Sequence, residues 1–180
     1  MTQRICDYCG KSLANKHTLK RHRVTCGGII NLGKEQPTAF GKDNILDLLE
    51  GDNIIIRLFK LVNLDPDKPQ YHNVFYPNSK SEYALVFRSN KWIRVNAEEL
   101  CDEVIDHKIR FLENFIKEQK IDDENAREQI ELLTNDVSAR KNAGKQIRRI
   151  LLAKKEMIKE SIILLTSASV LFTSWTSDVF

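Results

Sequence analysis

The sequence predicts an α+β fold: a small N-terminal ββα module, then a domain built on a three-stranded antiparallel meander and closed by C-terminal helices. Three observations predict it. Three of the four cysteines fall in the opening stretch, at a spacing that asks for a hairpin followed by a helix. Residues 71–95 hold three short runs rich in aromatic and β-branched residues, separated by turn residues. From Asn96 onward the apolar residues recur at helical spacing. The 180 residues, 42% hydrophobic and 29% charged, suit a module plus one ordinary domain and exclude a disordered chain.

The module is expected over residues 1–27. Its stretch CDYCGKSLANKHTLKRHRVTC reads Cys6-x2-Cys9-x12-His22-x3-Cys26. Zinc takes four ligands in a tetrahedron, and thiolate and imidazole suit it. Two cysteines two residues apart straddle a tight turn and grip an ion from one side. A histidine and a cysteine four positions apart lie on one face of a helix and close the other side. Gly10 follows the second cysteine, where a turn often needs a positive φ. Leu13 and Leu19 supply a small core. Cys6, Cys9, His22 and Cys26 are therefore the expected ligands of a Zn2+ ion. The ion is expected to be needed for folding, because so short a segment has little core of its own. His17 stands too near the expected helix start to replace a ligand.

This stretch resembles the Cys2His2 zinc-finger family, whose pattern is Cys-x2–4-Cys-x3-apolar-x5-Leu-x2-His-x3–5-His. Every spacer fits, with Leu13 and Leu19 at the core positions. Leu13 stands where the family usually has an aromatic residue, and Cys26 stands where it has the second histidine. The resemblance implies a helix that enters the major groove of DNA. It implies Asn15 just before that helix, Lys16 opening it, and His17, Thr18 and Arg21 facing the bases. Asn can pair with adenine and Arg with guanine, while Lys11, Lys20 and Arg23 would meet phosphates. One finger spans about three base pairs, and about four or five phosphate contacts give weak, salt-sensitive binding. The charge agrees: residues 1–27 hold six basic residues against Asp7, a net of +5, in a chain of net +3. The implied function is that of a zinc-dependent accessory or regulatory protein that binds nucleic acid, with double-stranded DNA as partner. The alternative is a protein-interaction or scaffold protein whose basic helix meets an acidic partner. A homodimer would let two fingers span two short sites.

Gly27-Gly28 ends the finger helix, with glycine past the last turn. Residues 28–43 read as a linker, with a short strand from Ile29 to Leu32 and then Gly and Pro punctuation. They do not make a phosphate loop, since Gln36 and Asp43 stand where a glycine and a hydroxyl are needed. The domain over residues 44–160 opens with two short helices. Asp43 is expected to cap the first, whose apolar face is Ile45, Leu48 and Leu49. Gly51 breaks it, and Asp52 or Asn53 caps the second, with Ile55, Leu58, Phe59 and Val62 on one side. Asp65-Pro66 ends the second helix. Asp65 and Asp67 read as a polar loop.

The expected strands are Tyr71–Tyr76, Tyr83–Arg88 and Lys91–Val95, with turns at Pro77-Asn78-Ser79 and Ser89-Asn90. His72 is read as a strand histidine making a local hydrogen bond. Glu98 and Glu99 sit at a helix start, where carboxylates suit the dipole. Leu100, Val104, Phe111 and Phe115 form a stripe, with Ile105, Ile109, Leu112 and Ile116 beside it, broad enough to pack on a sheet. Cys101 on this helix is expected to be a buried thiol. A shorter helix over 122–135 turns Ala126, Ile130 and Leu133 inward. Residues 98–131 hold twelve acidic and five basic residues, a net of −7, while residues 136–160 hold eight basic and three acidic, a net of +5. Ile147, Leu151 and Ile158 give the basic segment an apolar side. It is expected to pair with the preceding acidic helix; the alternative is a second phosphate-binding surface.

The blocks IINL…FGKDN, LVNLDPDKPQYHNVFYPN, YALVF…KWIRV and EELCDEVIDHKIRFLENF resemble uncharacterised single-zinc-finger proteins of large DNA viruses of protists, over about residues 4–159. This resemblance implies an origin rather than an activity. An intracellular location is expected, in host cytoplasm or nucleus if viral, because Arg4 and Asp7 stand where a signal peptide would have its apolar stretch. The tail over 161–180 has no charge from Ser161 to Ser177 but is rich in Ser and Thr. A final buried helix or strand, or a poorly ordered end, is expected there rather than a membrane anchor. No nucleophile–base pair or carboxylate pair stands out, so no enzymatic activity is expected.

Overall fold

The structure, a computed structural model, describes residues 4–6, 12–19 and 28–167. At the N-terminus, β1 (Arg4–Ile5) pairs antiparallel with β2 (Ser12–Leu13), placing Arg4 opposite Leu13 and Ile5 opposite Ser12. Residues 16–19 are helical and are labelled α1. Cys6 and Leu19 are buried together, with Leu13 and Ile30 packed against them. Residues 7–11 and 20–27 of the expected module lie outside the described residues.

The expected strand over Ile29–Leu32 is not formed. The Ile30 N–H donates to the Gln70 carbonyl at 2.7 Å and the Leu32 N–H to the Phe87 carbonyl at 2.9 Å, two isolated bonds to different segments rather than a ladder. The segment is nonetheless tied down, because Ile29, Leu32 and Phe40 are buried in the main core. Ile30 packs against both that core and the Cys6–Leu19 cluster, so it joins the N-terminal module to the domain. A 3-10 turn at Pro37–Ala39 leads into α2 (Lys42–Leu49). Gly41 precedes this helix and Asp43 lies in its first turn, so Asp43 meets the dipole instead of capping the end. The helix α3 (Ile54–Asn63) follows the break at Gly51. Asn53 does precede it, but in a left-handed conformation with no side-chain cap. The Ile54 N–H donates to Gln129 Oε1 instead, at 2.9 Å.

The three-stranded sheet has the order β3 (Val74–Phe75), β4 (Tyr83–Arg88), β5 (Lys91–Asn96), antiparallel throughout, which is the expected meander. The first strand is shorter than expected, because a 3-10 turn at Pro69–Tyr71 takes its beginning. Ser89 and Asn90 join β4 to β5 with φ of 52° and 60°, the left-handed pair that a two-residue hairpin needs to match strand twist.

Four helices follow. They are α4 (Ala97–Gln119), α5 (Glu124–Asn135), α6 (Val137–Ala153) and α7 (Lys155–Ser167). Asn96, Asp123 and Asp136 cap the first three through their side chains. The stripe expected on α4 is buried from Leu100 to Phe115. It meets β4, β5, α3 and α6, so helices as well as the sheet cover it. Ala126 on α5 and Ile147 and Leu151 on α6 close the core, as does Ile158 on α7. A Cβ at Gly144 of α6 would stand 3.3 Å from the Cβ of Cys101, which shows how closely α6 lies on α4. The boundary expected at 160/161 falls inside α7, whose Ser161 and Ile162 are buried. Among the described residues no helix is long and apolar enough to cross a membrane. Residues 168–180 lie outside the described residues.

Candidate functional site

The hairpin and α1 set the geometry of the N-terminal module. Cys6 follows directly on β1 and its side chain is wholly buried against Leu19 of α1. The helix starts where the capping chemistry puts it. The Leu19 N–H donates to the Asn15 carbonyl at 3.0 Å, closing the first turn. The Thr18 N–H donates to Asn15 Oδ1 at 2.9 Å, and the Asn15 N–H donates to Thr18 Oγ1 at 3.2 Å. This reciprocal exchange is a capping box in which threonine takes the usual place of Glu or Gln. The Thr18 hydroxyl also lies 2.9 Å from both the Asn15 carbonyl and Asn15 Oδ1.

That arrangement bears on the residues expected to face bases. Lys16 and His17 are exposed. Asn15 is exposed as well, but its side-chain oxygen is committed to the cap, and Thr18 is half-buried and committed to Asn15. Cys9, Lys11, Lys20, Arg21, His22, Arg23 and Cys26 lie outside the described residues. Among the described residues no three His, Cys, Asp or Glu side chains gather into a metal cluster. Cys6 is a free, buried cysteine held between the hairpin and the helix.

A second cluster, unforeseen from sequence, lies in the main domain. Glu35 from the 28–41 segment meets Asn63 of α3, Asn73 before β3, and Lys108 of α4. Asn73 Nδ2 donates to Glu35 Oε1 at 2.9 Å and Asn63 Nδ2 donates to the same oxygen at 3.2 Å. The Gly33 N–H donates to Oε2 at 2.8 Å. Lys108 Nζ stands 3.5 Å from Oε1, with side-chain exposures of 0% for Lys108 and 2% for Glu35. Burial alone would raise the Glu35 pKa, but the Lys108 charge and the amide donors outweigh it and hold the carboxyl below its ordinary value. Burial pulls Lys108 below the usual lysine range, against the pull of Glu35. Lys108 Nζ and Asn63 Oδ1 make no hydrogen bond among the described residues. The ring of His107 lies over Gly33, where any Cβ would collide with it. The signal for this cluster was present in one place: Lys108 falls on the apolar stripe of α4, between Val104 and Phe111. Both side chains are almost wholly buried, and the pair ties the 28–41 segment to α4.

His72 forms a third buried contact. Its Nε2 lies 3.0 Å from the Asp65 carbonyl and its Nδ1 2.9 Å from Ser161 Oγ. With Nε2 donating to the carbonyl, Nδ1 is an acceptor for the Ser161 hydroxyl, whose single proton is shared between it and the Met157 carbonyl, also at 2.9 Å. The bond to Asp65 is the local one expected from sequence, seven residues away, while the second spans 89 residues to α7. Desolvation lowers the His72 pKa against the opposing pull of Asp65. The pair is 1% and 9% exposed, which makes it a clasp on α7 and not an accessible nucleophile with its base. Cys101 is closed in the same way: burial pushes its thiol up to about 12, so it stays protonated and inert. Comparison with protein-family models, curated proteins and solved structures finds no match for the chain.

Proposed function

We propose that the chain is a zinc-binding protein whose single N-terminal finger contacts nucleic acid in an accessory or regulatory role. The observation that carries the reading is Cys6: it is buried at the end of a hairpin against the first turn of a capped helix, in the order that the Cys-Cys-His-Cys spacing requires. Cys6, Cys9, His22 and Cys26 would hold the ion. Zinc would supply a structural staple, compensating the charge of its thiolate ligands and closing so short a module.

The net +5 of residues 1–27 supports attraction to phosphate. The capping commitments of Asn15 and Thr18 argue against sequence reading by those two residues, leaving His17 and Arg21 as candidate base contacts. Binding is then weak, salt-sensitive and mostly directed at the backbone. The proposal includes an intracellular, reducing location, where thiolates stay available for metal; a viral origin rests on the sequence resemblance alone.

The same capping commitments favour a second reading, in which the finger is a protein-contact module. Duplex binding across a salt series, with zinc and after chelation, separates the two. Zinc-dependent binding that weakens steeply with salt and drops on Arg21→Ala supports nucleic-acid contact. Zinc-dependent folding with no duplex affinity at low salt supports the protein-contact reading.

A further inference from the structure

The helix α6 carries five cations, Arg140, Lys141, Lys145, Arg148 and Arg149, and no carboxylate. Packing divides them. Arg140 is spent on α4: its Nε donates to Asp102 at 2.9 Å and its Nη2 to Asp106 at 2.7 Å. Arg148 donates to the Tyr76 hydroxyl at 2.9 Å and stands 4.0 Å from Glu98. Lys141, Lys145 and Arg149 are exposed, and none of them forms an ion pair among the described residues. They are spaced four residues apart, so they follow one flank of the helix at a rise of about 6 Å per step.

We infer that this flank of α6 is a second nucleic-acid surface, one that tracks the phosphate backbone. The inference rests on the reading that the chain contacts nucleic acid, and it adds where the second contact lies. The middle of the line is cationic; its ends are Val137, which is 82% exposed, and the small exposed Ala153. A protein interface would instead centre on a packed aromatic or aliphatic anchor and be poor in lysine. Phosphates ask only for spaced cations. Lys141 and Lys145 also border a depression of about 290 Å³ against α4, together with Arg148. Two carboxylates share that rim: Asp102 pairs with Arg140, which also binds Asp106, and Glu98 stands 4.0 Å from Arg148. The helix N-terminus is not the binding element, because Asp136 already accepts from the Ser138 and Ala139 N–H groups.

The test uses the full zinc-loaded chain and a short random-sequence duplex across a salt series, comparing the Lys141→Ala/Lys145→Ala/Arg149→Ala triple variant with Arg21→Ala. All three α6 side chains are exposed, so the thermal midpoint of the triple variant should match that of the parent chain. The expected result is about a tenfold or larger loss of affinity at low salt and a salt slope shallower by about two to three. After chelation the parent chain should keep a residual affinity that the triple variant lacks. Parent-like binding by the triple variant, with loss on Arg21→Ala, overturns the α6 surface and leaves the finger reading standing. Loss of polyglutamate binding with unchanged duplex binding overturns it in favour of an acidic protein. No duplex affinity in the parent chain overturns both.

Discussion

Glu35 and Lys108 face each other at 3.5 Å with side chains 2% and 0% exposed, and the consequences of disturbing either are specific. Removing one partner leaves the other ionised and buried, at a cost of about 3–5 kcal/mol, whereas replacing both leaves no orphan charge. Lys108→Met should therefore lower stability by several kcal/mol, and Lys108→Met combined with Glu35→Gln should recover a large part of it. Urea denaturation measures both; a double variant as damaged as the sum of the singles would show that the two groups do not act as a pair. The titration signs add a second expectation. The folded Glu35 pKa lies below 4.5, so the unfolded chain binds the extra proton first as pH falls. Its stabilisation is complete above about 4.5 and is lost on acidification through the folded value. The folded His72 pKa lies below 6.5, with the same sign, so the buried neutral imidazole begins to cost stability below 6.5. The folded His107 pKa is also lowered, first by burial and then by Arg110, and acts in the same direction. Thermal midpoints should start to fall as pH drops below 6.5 and fall further below 4.5; a midpoint constant down to pH 5 would contradict the His72 assignment.

Elements were legible wherever an apolar period or a capping residue announced them. The meander, the long α4 with its stripe, and the helix over 124–135 all follow from spacing that local chemistry enforces. So does the pairing of the basic α6 with acidic α4 through Arg140. The failures share a cause: the partner was distant in sequence. Ile29–Leu32 has strand composition, but its two backbone bonds go to Gln70 and Phe87, which prevents a ladder. Glu35 looks like a linker residue until Asn63, Asn73 and Lys108 are brought to it. The sequence points to Asp52 or Asn53 as the cap of α3, yet it comes from Gln129 of α5, which also donates to the Gly51 carbonyl at 2.8 Å and to Asn125 Oδ1 at 2.8 Å. Gln129→Ala should then cost about 1–2 kcal/mol, the size of a lost cap with its supporting bonds. Gln129→Glu keeps an acceptor for the Ile54 N–H but turns its second oxygen toward the Gly51 carbonyl and Asn125 Oδ1, so it should not restore the stability of the parent chain. Equal stability of the Ala variant and the parent chain in chemical denaturation would refute the cap.

The molecule as a whole joins two cores of very unequal size. The main core runs from Ile29 to Ile162 and is continuous. The N-terminal cluster holds Cys6 and Leu19, with Leu13 and the shared Ile30 at its edge. Hydrophobic burial scales with apolar area, and among the described residues the large core buries far more of it than the small one. The spacing of Cys6, Cys9, His22 and Cys26 was legible because the four positions are local, whereas the partner of the module is not written in any of them. On the proposed zinc reading, chelation should therefore melt the N-terminal module alone. Its folding free energy is largely the binding free energy of the ion, while the domain keeps its own contacts. Limited proteolysis after chelator treatment should cut at the basic residues of 1–27 and leave a stable fragment that begins near Gly28. The thermal midpoint of that fragment should stay close to that of the zinc-loaded domain, shifted only by the loss of the Ile30 contact. Returning zinc should restore protection in the parent chain and fail to do so in Cys6→Ser, which removes one of four ligands. Collapse of the whole chain on chelation would mean that the domain depends on the module through the Ile30 junction. Indifference of the module to chelation would remove zinc from the account altogether.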